Sequence, residues 1–109
     1  MRFQLALCAL LVLATPAVPA RADDHAVALA VREGGFEPAR LEVPVGVRVR
    51  LEVSNETASA IEFESFELNR ERVVPPGQKA TVYLSGLSAG EYQFFDDFHQ
   101  ARRGTLLVR

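Results

Sequence analysis

The chain of 109 residues reads as an all-β domain, a Greek-key β-sandwich or small barrel, preceded by a helical signal peptide. Three observations carry this. No helical period of useful length appears after residue 22. The stretch "VRVRLEV" (47–53) alternates Val47, Val49, Leu51 and Val53 with Arg48, Arg50 and Glu52, so one face is buried and the other is wet. Short apolar runs recur at roughly dozen-residue intervals between turns that carry Gly or Pro, which is the rhythm of a two-sheet fold.

The elements follow in order. Met1 and Arg2 give a positive start, "LALCALLVLA" is an apolar run too short to span a bilayer, and "AVPARA" ends in the A-x-A pattern of Ala20 and Ala22 before an acidic "DD". This is the pattern of a signal peptide over residues 1–22 and a domain over 23–109. Pro16, Pro19 and the small-residue exit disfavour an uncleaved anchor, and too little apolar sequence precedes Cys8 for a lipoprotein signal. "HAVALAV" (25–31) is a first strand. "REGGFEP" is a turn, with Pro38 barring a central strand. "ARLEV" is a short strand ended by "PVG", then comes "VRVRLEV", and "SNETAS" is a loop. "IEFESFELNRE" (61–71) is a strand, bent near Ser65 and Phe66, beyond which Phe66 and Leu68 become the inward pair. "VVPPGQKA" turns the chain, "TVYLS" sends Val82 and Leu84 inward, and "YQFF" follows "GLSAGE". "DDFHQARR" is a loop and "GTLLVR" closes the fold. That makes seven or eight strands.

Charge and sulfur content bound the function. Twelve basic and fourteen acidic residues give −2, and losing Arg2 and Arg21 with the leader leaves ten against fourteen, or −4. That balance excludes a nucleic-acid partner, which demands a basic surface, and suits cations or simple solubility. Cleavage also removes the only Cys and the only Met, so the remaining domain has no disulfide and no thiolate ligand. With no second apolar segment, the product is expected to be exported to the periplasm without a transmembrane span.

Two polar clusters carry the chemistry. In the first, Glu62 and Glu64 share one face of their strand, about 7 Å apart by strand geometry, with Glu67 and Glu71 beyond the bend. Such a pair needs water, an arginine or a cation between its charges. Arg70, Arg72 or arginines of a neighbouring strand would serve without any metal. In the second, Asp96, Asp97 and His99 lie within four residues and form a plausible ligand set for a borderline or hard cation. Arg102 and Arg103 offer an alternative neutralisation there. The two clusters make one site only if the fold brings them together.

The pieces "FEPARLEVPVGVRVRLEVSNE", "IEFESFELNRERVVPPGQ", "GEYQFF" and "GTLLVR", in this order and spacing, resemble the EfeO-type cupredoxin-like domains of periplasmic iron-uptake systems. The resemblance implies a cupredoxin-like sandwich in which the "IEFES" strand and the "DDFHQ" segment meet at one end. It also implies departures from blue copper, which needs a Cys thiolate, two His and usually an axial ligand. The first His position corresponds to Ile61 or Glu62 and the Cys position to Asp96. The E-aromatic-E strand corresponds to Glu62 and Glu64, and the Glu-Arg element before the "PG" turn to Glu71 and Arg72. The metal candidates are therefore Glu62, Glu64, Glu71, Asp96, Asp97 and His99, with Arg70 or Arg102 tuning the charge.

The expected function is a periplasmic metal-binding protein that takes a copper or iron ion and assists iron uptake, at most an accessory to ferrous iron oxidation. An inner-membrane iron permease or a periplasmic metal protein is the implied partner. A rival of another class is a non-catalytic interaction module that docks on a permease or partner metalloprotein through its acidic end. A hydrolase is disfavoured, because no nucleophile elbow, H-E-x-x-H motif or Ser-His-Asp ordering is present.

Overall fold

Alternation of apolar and polar side chains sets most of the strands. The computed structural model describes residues 18–21 and 24–109. The expected signal peptide falls outside the described residues except for residues 18–21, which are irregular. The described residues form β1 (His25–Arg32), β2 (Gly35–Glu37), β3 (Arg40–Val43), β4 (Val49–Asn55), β5 (Ile61–Ser65), β6 (Arg70–Val74), β7 (Lys79–Leu84), β8 (Gly90–Asp96) and β9 (His99–Val108), with no helix among them.

The strands form two sheets, ordered β2-β1-β4-β7 and β3-β9-β8-β5-β6. Five of the eight connections cross from one sheet to the other, which gives the expected all-β sandwich. Two pairings are parallel, β1 with β4 and β3 with β9. The inner faces meet through Leu29, Val31, Val49, Leu51, Val53, Val82 and Leu84 on one side. Leu41, Val43, Ile61, Phe63, Phe94, Leu106 and Val108 face them, all buried. Each such side chain contributes roughly 1.5–3 kcal/mol. Phe94 packs edge-on against Phe36 at 4.9 Å and tilted against Phe63 at 5.4 Å. Gly104 lies opposite Phe94 in the β8–β9 ladder and leaves the space that its ring fills.

Three expectations change. Gly35–Glu37, read as turn, forms the short edge strand β2. Residues 61–71 are not one bent strand but the hairpin β5–β6, and the chain reverses through residues 66–69, with Asn69 at φ 53. Ser65 Oγ holds the reversal, donating to the Gln93 carbonyl at 2.6 Å and accepting from the Leu68 N–H at 3.1 Å. Period two fails in such a turn, so Leu68 is buried while Phe66, expected inward, is 76% exposed. Finally, "DDFHQARR" is no loop. Only Asp97 and Phe98 separate β8 from β9, and His99, Arg102 and Arg103 belong to β9.

The entry into β5 is fixed by Asn55, a buried polar residue at the end of β4. Its Nδ2 donates to the carbonyls of Ser59 at 2.8 Å and Val74 at 2.9 Å, and its Oδ1 accepts from Thr57 N–H and Thr57 Oγ1. Its hydrogen-bonding capacity is thus fully used, as a buried amide requires.

Candidate metal centre

Along β5, Ile61, Phe63 and Ser65 face inward and are buried, which leaves Glu62 and Glu64 half-buried on the outer face. The β8–β9 hairpin brings Asp97 to them, because the Asp97 N–H donates to the Glu62 carbonyl at 2.9 Å. Each of Glu62, Glu64 and Asp97 offers a carboxylate oxygen, and these oxygens lie within 4.8 Å of one another. Metal–oxygen bonds of roughly 2.0–2.6 Å put opposed ligands about 4–5 Å apart, so one ion could touch all three. Among the described residues none of the three forms an ion pair with an arginine or lysine.

The electrostatics reflect this crowding. The Glu62 carboxyl is held above its ordinary range, first by the hydrogen bond it shares with Glu64, then by partial burial and by the charges of Glu64 and Asp97. A shared proton relieves repulsion between carboxylates that cannot all ionise freely.

Asp96, expected beside these groups, lies elsewhere. Successive strand residues face opposite ways, and the β8–β9 ladder is irregular between Phe95 and Asp96. Asp96 therefore points into the sandwich and is 0% exposed. Its Oδ2 lies 3.0 Å from Nη1 of Arg102, and its Oδ1 accepts from the N–H groups of Glu62 and Phe98, both at 3.0 Å. Arg102, also buried, donates to Glu33 Oε2 at 3.0 Å and to the Glu33 carbonyl at 3.4 Å. The arginine neutralisation weighed for this cluster is what the structure shows at Asp96, which thereby leaves the set of open ligands.

The other candidates sit at the margin. His99 opens β9 across from Asp96, exposed and outside the carboxylate trio. Glu71 is the cross-strand neighbour of Glu64 and shares a concavity of about 350 Å³ with Glu64, Phe66, Asn69 and Arg70. Arg70 does not neutralise the glutamates by contact. Its guanidinium donates to the carbonyls of Tyr83, Leu68 and Asn69. Glu67 accepts from the Gln93 N–H at 3.2 Å.

An apolar rim around the trio escaped the sequence reading. Val73 stands opposite Glu62, Phe66 follows two residues after Glu64, and Phe98 adjoins Asp97, all well exposed. Phe95 also faces outward, yet it is only 7% exposed, because Phe66 and the Arg103 guanidinium cover it at 5.4 and 5.2 Å. The signal was the pair "FF", since two consecutive strand residues cannot both face the core.

The donor set decides what the site can hold. The described residues include no Cys or Met, so they do not fit a thiolate-ligated copper centre. Three clustered carboxylates fit a hard or borderline cation instead.

Comparison with known proteins agrees with the architecture. A sequence relative, an uncharacterized protein of Rickettsia prowazekii, is 35% identical over 83 residues, 75% of this chain and 66% of that protein's length. Among solved structures, the fold resembles the metal-binding domain of the Cu(I)-exporting P-type ATPase CopA of Streptococcus pneumoniae, solved with Cu(I). That match has a TM-score of 0.71 at 11% identity and covers 84% of this chain and 91% of that one. It also resembles a purple cupredoxin of Nitrosopumilus maritimus, with a TM-score of 0.61 at 20% identity over 75% of this chain and 98% of that one. A reduced amicyanin variant gives a TM-score of 0.62 at 21% identity over 77% and 82% of the two chains. These likenesses show the fold. The family model for the cupredoxin-like domain matches residues 4–108, and the chain belongs to that family.

Proposed function

We propose that this chain is an exported, periplasmic cupredoxin-like protein that binds a copper or iron ion on the outer face of its five-stranded sheet and assists iron uptake. Glu62, Glu64 and Asp97 are the proposed ligands, with Glu71 beside them as the cross-strand neighbour of Glu64. The observation that carries this reading is the convergence of three carboxylates, two from β5 and one from the β8–β9 turn, with no arginine or lysine partner among the described residues. The copper-containing CopA domain supports it as a structural analogue. Anionic oxygens favour Fe(III) over Fe(II), so beside a redox partner that takes the electron the site would assist ferrous oxidation ahead of a permease, and it would not act as a blue electron-transfer centre.

Isothermal titration of the purified protein with Cu(II), and with Fe(III) as its citrate complex, tests this. Saturable binding that is lost in Glu62→Ala/Glu64→Ala supports the proposal. Heats that are absent, or identical in the variant, overturn it.

A second reading has its own support. The exposed Phe66, Phe98 and Val73 rim the carboxylates and suit docking on a permease or partner metalloprotein. Co-purification of such a partner from metal-free cells, lost in Phe66→Ser/Phe98→Ser and retained in Glu62→Ala/Glu64→Ala, would favour docking without an ion.

A further inference from the structure

We propose that Asp96, held by Arg102, is the positioning residue of the outer-face carboxylate site, an inference that rests on the metal-binding reading above. Asp96 Oδ1 accepts two backbone N–H groups, from Glu62 and from Phe98, each at 3.0 Å. These amides bracket two of the proposed ligands: Glu62 itself, and Asp97, which lies between Asp96 and Phe98 in the chain. The third tie is the Asp97 N–H on the Glu62 carbonyl at 2.9 Å. One carboxylate oxygen, on the inner side of the sheet, thus fixes the relative placement of two backbone segments whose side chains emerge on the outer side.

The arrangement needs Arg102. A carboxylate with no solvent exposure is costly unless it is paired and hydrogen-bonded. Asp96 meets this requirement with two amides and a guanidinium 3.0 Å away. Arg102 is anchored in turn on Glu33, just past β1 in the opposite sheet. The clamp therefore spans both sheets. Glu62, Glu64 and Asp97 would otherwise separate under their own repulsion, and the clamp holds the backbone against that tendency. The guanidinium neutralises Asp96, which is thereby closed to a metal ion.

The test compares wild type, Asp96→Asn, Arg102→Lys and Asp97→Asn. Each is titrated with Cu(II) by calorimetry, and the amide shifts and hydrogen exchange of Glu62 and Phe98 are followed in the metal-free protein. Asp96→Asn is expected to speed exchange at both amides and to weaken Cu(II) binding about tenfold or more, the usual effect of removing an outer-shell partner. Arg102→Lys, which keeps the cation, is expected to retain more affinity than Asp96→Asn; if Asp96→Asn fails to fold, Arg102→Lys is read against wild type, and shifted Glu62 and Phe98 amides with unchanged Cu(II) affinity overturn the role. Three results would overturn the role: unchanged amides in Asp96→Asn, Cu(II) affinity within twofold of wild type in that variant, or Arg102→Lys binding no better. Loss in Asp97→Asn with retention in Asp96→Asn sinks only the positioning role. Absence of Cu(II) binding in wild type sinks the metal reading and the positioning role together.

Discussion

The side-chain amide of Asn55 on β4 donates to the carbonyl of Val74 on β6, 2.9 Å away, and so ties one sheet to the far edge of the other. The same side chain closes the loop before β5 through Ser59 and Thr57. Asn55→Ala leaves several buried polar groups without partners, each costing about 1–3 kcal/mol. We expect a loss of roughly 2–4 kcal/mol, read in urea as a lower midpoint at unchanged slope.

Arg102→Met strands the buried charge of Asp96. Breaking a buried pair from one side costs about 3–5 kcal/mol. The expected outcome is a large loss in Arg102→Met and a smaller loss in Asp96→Asn/Arg102→Met than the two single changes would sum to. Additive losses in this double-mutant cycle would show that the pair is not coupled.

The carboxylate trio makes stability depend on pH. Glu62 has its folded pKa raised above the unfolded value of 4.5, chiefly through its hydrogen bond with Glu64. The folded state therefore binds more protons in the window just above 4.5, and stability falls as pH rises through that window. Glu64→Gln or Asp97→Asn should lower the Glu62 midpoint, followed by carboxyl-carbon NMR, and flatten the fall. Saturating Cu(II) at neutral pH should raise the melting temperature of wild type.

Gly104→Ala tests the packing under Phe94. An added Cβ runs into the Phe94 ring and lies 3.0 Å from the Ala39 carbonyl oxygen. Phe94 is enclosed by Phe36 and Phe63 and has nowhere to retreat. Overpacking of this kind costs typically about 1–3 kcal/mol, measurable as a lowered thermal midpoint.

The sandwich was legible wherever alternation was clean. Val49, Leu51 and Val53 of β4 and Val82 and Leu84 of β7 are buried as read, because period two alone decides their side of the sheet. The carboxylate cluster was legible in part. Glu62, Glu64 and Asp97 do converge, but Asp96 could not be told from Asp97 by composition. Their separation depends on strand parity and on the irregular ladder at Phe95 and Asp96. The stretch "HQARR" looked like a loop because polar side chains on the exposed part of β9 resemble those of a loop. Phe66 looked like core because hydrophobicity does not report a four-residue reversal.

The pairing of β3 with β9 joins residues 40–43 to residues 105–108. The five-stranded sheet cannot close until β9 has been made, and such distant contacts make folding slow. That delay leaves an interval in which the apolar faces of the earlier strands stand open to solvent.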